Sequence, residues 1–385
     1  MKFPVVPALF LCLVSVLCPP SSVLGLVDAD GLSEKEIRQK WTGDYDGMVK
    51  HRIIRALVPY SKTFYFLDGA TQRGLTYDLL KGFEKHVNQK LGKKTLRVEL
   101  VVIPTPRDQL IFGLIEGRGD IAAGNLTITD ERGEQVDFSD PLYTSVDEII
   151  VTGPDSPAVA SIADLSGKEI HVRKSSSYHE SLVQLNARFQ KEGRKPVNVI
   201  PADELLEDED LLEMLNAGLL PMVAIDSHKA QFWTQIFTDL TLHPEIRLRA
   251  GGQIAWAFRK NSPKLREAVN DYVRTAKQGT LMGNMLFKEY LANTKWVRRA
   301  LNEEGRKRLE ETLALFRNYA DQYDFDWLLI AAQAYQESGI DHSKRSPSGA
   351  IGVMQVLPRT ARDPNVGIDD IEKLENNIHA GVKYL

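Results

Sequence analysis

Sulfur chemistry is almost missing from this chain. Its 385 residues hold two cysteines, Cys12 and Cys18, both near the start. If that segment is removed on export, no thiol remains, which excludes disulfides, thiol catalysis and cysteine-ligated metal sites. An excess of charge of either sign is missing too: 48 basic against 52 acidic residues give a net charge of −4, without the basic footprint that nucleic-acid binding needs. No internal repeat and no low-complexity tract stands out, and past the first residues no apolar run is long enough to span a bilayer. No metal, cofactor or nucleic-acid partner is expected.

What is present begins with an export signature. Lys2 precedes an apolar run from Phe3 to Cys18 that is closed by Pro19 and Pro20, and small residues follow at Ser21 to Gly25. The run suits the core of a signal peptide, assigned to residues 1–25. Lipidation at Cys18 is the alternative fate of this segment, although Val16 and Leu17 are poor lipobox residues. Residues 26–49 read as a polar lead-in, with the folded body starting near Ile53.

From Ile53 onward, short apolar runs alternate with helical patterns, with strands expected near 53–59, 96–103, 120–128, 148–152, 169–172, 197–200, 222–225 and 252–258. Such alternation implies parallel pairing in an α/β layer architecture. Beyond Thr294 only helical patterns appear, over 302–323, 325–337 and 376–385. The chain thus divides into a module over 50–292, with a second lobe at about 153–245, and an all-α unit over 293–385.

The most informative stretch of the first module runs from Gly119 through Asn125, Thr127 and Arg132 to Pro141, Leu142 and Tyr143. With Gly74 to Leu79, Ala224 to Ser227, Gly279-Thr280 and Phe287 to Tyr290, it resembles the family 3 periplasmic solute-binding proteins that capture polar amino acids. The resemblance implies a two-lobed α/β clamshell. It also implies that Arg132 grips a ligand carboxylate with its planar fork, Thr127 adds a hydroxyl and a backbone N–H, Asp226 faces the ligand amine, and Tyr60 walls the cleft. For Arg132 a surface pair with Asp130 or Glu134 is the competing reading. Asn125 stands where that family usually has a small residue, which points away from a plain free amino acid and toward a peptide or muropeptide.

In the second unit, Ala331 to Gly339 (AAQAYQESG) forms a helix end, with Gly339 as its stop. Glu337 would sit in the last turn. There the negative end of the helix dipole and neighbouring apolar groups would raise its pKa, as a general acid for a glycosidic oxygen requires. Three motifs, Glu337-Ser338, Ser346 to Gln355, and Asn376 to Leu385, resemble the soluble lytic transglycosylase family, whose fold is that of goose-type lysozyme. By that resemblance Glu337 is the catalytic acid and base, acting between N-acetylmuramic acid and N-acetylglucosamine to form a 1,6-anhydro sugar. Ser338 would position Glu337 or the sugar, and Gly352, Met354 and Gln355 would line the glycan groove. Met354 reads equally as core filling, and Lys344 and Arg345 as a solvated basic loop. The family's Ala-Tyr-Asn motif lies beyond Leu385, so the unit reads as C-terminally incomplete, with the last helix expected to leave its apolar face short of partners.

Together the two parts resemble the membrane-bound lytic murein transglycosylase F family. This implies a periplasmic enzyme on peptidoglycan, peripheral to the outer membrane, with an amino-acid or muropeptide effector. A binding or regulatory protein with a silent lytic domain is the competing reading.

Overall fold

The computed structural model describes residue 37, residues 39–68, 71–92, 96–294, 297, 303–325, 327–338, 340–346 and 348–385. The expected signal peptide and Cys18 lie outside these residues. The chain divides into two compact units with the boundary between Thr294 and Lys295.

The first unit runs α1 (Tyr45–His51), β1 (Ile53–Val58), β2 (Phe66–Asp68), β3 (Thr71–Arg73), α2 (Leu75–Lys90), β4 (Glu99–Pro104), α3 (Leu110–Ile115), β5 (Ile121–Thr127), α4 (Asp130–Gln135), β6 (Val136–Phe138) and β7 (Tyr143–Thr152). It continues with β8 (Glu169–Arg173), α5 (Ser177–Lys191), β9 (Asn198–Ala202), α6 (Asp208–Asn216), β10 (Met222–Asp226), α7 (Ser227–Trp233), β11 (Thr241–Arg259), α8 (Pro263–Ala276) and α9 (Leu281–Leu291). One sheet carries the strand order β4-β1-β5-β11-β7-β10-β8-β9, and β6 pairs with β11. The outer strands are parallel, as the strand and helix alternation predicts. The long central strands β7 and β11 are antiparallel to each other and shift register repeatedly between His243 and Ile254. They cross from one half of the sheet to the other, so the unit is two lobes joined by a pair of strands.

The lead-in departs from expectation. Rather than a surface segment, it packs into the first lobe: Met48 is fully buried, and Trp41, Tyr45 and Val49 pack on the same core. A buried charge cluster anchors it. Arg55 holds Asp120 through Nε and Nη2 and donates to the Gln39 and Trp41 carbonyls, while Arg259 donates to the Gly43 carbonyl. Carbonyls of a part-buried segment pressed against the lobe need donors, and two buried arginines supply them.

The second unit holds α10 (Glu303–Tyr323), α11 (Trp327–Ser338), α12 (Pro358–Ala361) and α13 (Leu374–Tyr384). Its core includes Phe316 and Ala320 of α10, Ile330 and Ala334 of α11, and Val353. The apolar face of α13 is not short of partners, contrary to expectation. Ile378, Ala380 and Val382 are fully buried in this core, and His379 stacks on Tyr319 at 4.3 Å while its Nε2 meets the Tyr323 hydroxyl at 2.7 Å. Helix α10 supplies the face that sequence reading assigned to absent residues.

Candidate functional site

Two regions carry the candidate residues, and each is built by its own unit. In the helical unit, α11 delivers Glu337 one residue before its C-terminal end. The Ser338 hydroxyl is buried, donating at 2.8 Å to the Val353 carbonyl and lying 3.1 Å from that of Ala334, and it accepts from the Asp341 N–H. Ser338 therefore fixes the helix end to the loop over 351–356 and has no hydroxyl left for a sugar. That loop is pinned from behind. Fully buried Asn377 accepts from the Met354 N–H at 2.9 Å and donates to the Ile351 carbonyl at 2.8 Å. Gly352 has φ of 73°, and a Cβ there would come within 2.5 Å of the His342 ring and 2.9 Å of Asn377, so the loop accepts no side chain at this point.

Met354 is buried in the core against Gly381, resolving its two readings in favour of core filling. Gln355 is half-buried and spends its amide on the Gly352 carbonyl at 2.8 Å. The Glu337 carboxylate is exposed and accepts from the Gln333 amide at 3.0 Å. The apolar shielding that the sequence suggested is thus not formed around it by the described residues.

In the first unit, the candidate ligand residues converge at the inner faces of the two lobes, and the protein's own groups already occupy them. Arg132 donates to the Thr127 carbonyl at 3.0 Å and the Ser175 carbonyl at 2.9 Å, and its Nε lies 3.1 Å from Glu180. Neither Asp130 nor Glu134 is its partner. Asp226 lies 3.2 Å from Lys229 and accepts from the Asn125 amide at 3.1 Å. Asn125 has φ of 54°, a left-handed conformation asparagine tolerates, and this turns its amide toward Asp226. Thr127 is buried, accepting from the Ser177 hydroxyl at 3.2 Å. Tyr60 stands half-exposed and stacks on Tyr65. The space left among these groups is about 20 Å³, room for about one water.

Sequence reading missed the groups that close this cleft. Arg107 of the first lobe forms a two-pronged bond to Glu207 of the second, at 2.9 and 2.5 Å, with both side chains buried. Ser61 and the Lys62 N–H donate to Glu209 at 2.8 and 2.5 Å, and Lys62 pairs with Asp210 at 2.8 Å. The acidic start of α6, Glu207 to Asp210, is thus a latch across the lobes. Behind it, Asp208 takes Arg173, Lys229 at 2.6 Å and the Tyr178 hydroxyl at 2.9 Å. Burial pushes the Asp208 carboxyl up, but Arg173, Lys229 and Arg107 overrule it and hold it well below the usual carboxylate range. The run of acidic residues was the available signal, but it reads as a solvated helix start.

Glu209 behaves oppositely: burial, and then the neighbouring Glu207, push its carboxyl up to about 7 from an ordinary 4.5. Between those values the folded chain keeps a proton that the unfolded chain has lost. Stability should therefore fall as pH rises from about 4.5 to about 7 and level off above, by at most about 3 kcal/mol. Melting wild type and Glu209→Gln across pH 5 to 8 checks this. The variant should lack that decline; parallel curves would contradict the assignment.

Fold and site define the class: a two-lobed solute-binding module joined to a helical domain that presents one glutamate at a helix end. Comparison with known proteins agrees. Residues 59–291 match the bacterial extracellular solute-binding proteins, family 3, and residues 314–385 match the transglycosylase SLT domain. Among solved structures, the substrate-binding protein of an amino acid ABC transporter matches with a TM-score of 0.51 at 22% identity, covering 63% of this chain and all of that one. An ancestral arginine-binding protein bound to arginine matches at 0.50 and 23%, covering 62% of this chain and 97% of that one. These likenesses support the fold.

Curated relatives bear the name membrane-bound lytic murein transglycosylase F, three of them as follows. The one from Desulfosudis oleivorans is 29% identical over 87% of this chain and 70% of its own length. That from Shewanella halifaxensis is 29% identical over 85% and 65%, and that from Maricaulis maris 32% over 72% and 59%. The chain thus spans about three fifths to seven tenths of these relatives' lengths. The chain belongs to the family 3 solute-binding proteins, in the branch that carries an SLT domain and is related to membrane-bound lytic murein transglycosylase F.

Proposed function

We propose that this chain cleaves the β-1,4 bond between N-acetylmuramic acid and N-acetylglucosamine in peptidoglycan as a lytic transglycosylase, with Glu337 as both acid and base. The observation that carries this reading is Glu337 itself, solvent-facing at the end of α11, with that helix end tied by Ser338 to a loop that Asn377 fixes from behind. A reacting carboxyl must meet substrate while its backbone stays still, and this arrangement does both. Glu337 gives its proton to the leaving glycosidic oxygen as the C1–O4 bond breaks. The same carboxylate then takes the proton of the muramyl 6-hydroxyl as the C1–O6 bond forms, so atoms balance without water. The substrate's acetamido group stabilises the oxocarbenium-like state in place of a second carboxylate. In this reading Gly352 and Gln355, on the loop tied to that helix end, line the glycan groove.

The two-lobed module is the sensing part, with an amino acid or muropeptide as effector at Arg132, Thr127 and Asp226. A ligand enters by displacing Glu207 from Arg107, since the closed cleft has room for little beyond a water. No helix among the described residues is long and apolar enough to cross a membrane, and the proposed location is the periplasm, peripheral to the outer membrane. A regulatory protein with a silent lytic domain is the alternative, and one experiment separates the two. Purified sacculi incubated with the chain should release fragments ending in 1,6-anhydromuramic acid on mass analysis. Fragments with ordinary reducing ends would reject transglycosylation in favour of hydrolysis, and no release at all would reject the enzymatic reading.

A further inference from the structure

The interlobe cleft of the first unit is closed by bonds that need no ligand. Arg132, Thr127 and Asp226 are each completed by the facing lobe. Arg132 donates to the Ser175 carbonyl and pairs with Glu180, Thr127 accepts from the Ser177 hydroxyl, and Asp226 accepts from the Asn125 amide. Around them, Arg107 takes both oxygens of Glu207, and Ser61 and the Lys62 N–H donate to Glu209. The Lys62 ammonium lies 2.8 Å from both Asp210 and Glu213. In every one of these contacts one partner belongs to the first lobe and the other to the second.

A clamshell that shuts on its ligand does so because the ligand supplies, in the closed form, bonds that the open form lacks. Here the chain supplies them itself. The space left in the cleft is about 20 Å³, against roughly 300 Å³ and upward for small-molecule sites. A ligand at Arg132 and Asp226 therefore cannot share this lobe spacing. It has to part Asn125 from Asp226 and Glu207 from Arg107, and sit between lobes held further apart. The two connecting strands are built to allow that movement. Ser145 on β7 has φ of 59° and Gly251 on β11 has φ of 67°, and these breaks in extended backbone flank the Val146 and Gly252 pair. Such positions absorb the φ and ψ changes of a hinge.

We propose that this module rests closed when empty, latched by its own side chains, and that occupancy of the cleft opens it, the reverse of a trap that shuts on its ligand. The latch bonds weight the closed form, and a ligand gains its contacts only after they break. Its affinity is therefore reduced by the fraction of molecules that are open. Lys62 isolates this effect, because its half-exposed side chain holds the second lobe without lining the cleft. Removing it loosens the latch and leaves every cleft residue in place. In a trap that shuts on its ligand the same loss would weaken binding; in this module it strengthens binding.

Opening by a ligand rests on the sensing role proposed above; the closed resting state does not. The test puts spin labels on cysteines at exposed Leu67 and Leu219, one in each lobe, in the full chain with Cys12 and Cys18 changed to serine. Without ligand, this parent should show one narrow, short interlobe distance. Glu207→Ala strands the buried Arg107 cation unless the lobes part to solvate it, so it should shift the distance upward. Lys62→Ala should shift it the same way by less, and melting curves show that both variants stay folded. N-acetylmuramyl-L-alanyl-D-isoglutamine is then titrated with heat and distance as readouts. It should lengthen the parent's distance and bind Lys62→Ala up to about fivefold tighter, the ratio that an exposed ion pair supports. A long or broad distance in the empty parent, no shift in either variant, a distance that shortens on binding, or weaker binding to Lys62→Ala would each overturn the proposal. Absence of heat would count against the sensing role, and the ligand-free distances would still decide the resting state.

Discussion

Glu337→Gln should lower the release of anhydromuropeptides by about a hundredfold to ten-thousandfold, the range that a positioned acid and base contributes, while leaving the fold intact. The two side chains have the same shape, so the variant keeps its place on α11 and its neighbour Gln333. What it loses is a transferable proton. Because position 337 is exposed and close to a helix C-terminus, removing the negative charge should change stability by no more than about 0.5 kcal/mol. Release rates from sacculi and a melting curve on the same preparation separate chemistry from folding. Equal loss of activity and melting temperature would make Glu337 a structural residue instead.

The second large effect concerns the two-lobed module. Asp208→Asn leaves Arg173 and Lys229 buried with their shared carboxylate gone, and Asp226, 3.2 Å from Lys229, and Glu207, acting on Arg173, are the remaining counter-charges. Breaking one side of such a buried pair costs about 3–5 kcal/mol because the stranded charge has nowhere to be solvated. For a domain of this size that lowers the melting temperature by on the order of 10 °C. Adding Lys229→Met to Asp208→Asn should recover part of the loss, since it removes one of the stranded cations. A melting temperature for Asp208→Asn equal to wild type would show that the network contributes nothing to the second lobe. Asp208 has both its cationic partners within its own lobe, whereas Glu207 reaches across to Arg107. Glu207→Ala therefore bears on closure as well as on folding.

Much of the fold was legible because strand segments such as Leu100 to Ile103 and Met222 to Ile225 are continuous apolar runs, as buried parallel strands are. The first half of β11 was not. It carries His243, Pro244, Glu245, Arg247 and Arg249, and a hinge strand half in solvent offers no apolar run to read. The lead-in escaped for a similar reason: Trp41, Tyr45 and Met48 are sparse among charges, and what folds them is the Arg55 and Arg259 pairing with backbone far away in sequence. At the sites, motif order placed Glu337 at a helix end, where α11 does end. Motif order could not reveal that Ser338 faces inward, that Met354 packs on Gly381, or that Glu207 reaches Arg107 across a hundred residues of chain. Those facts belong to packing between distant segments, which local pattern does not encode.

The central claim is that one carboxyl breaks the glycan bond and closes the muramyl ring without consuming water. Digestion of sacculi in heavy-oxygen water, with wild type and Glu337→Gln side by side, tests this most directly. The account predicts wild-type fragments that end in the anhydro sugar and carry no heavy oxygen, with little release by the variant. Heavy oxygen at the new muramyl ends, or equal release by the two proteins, would contradict it.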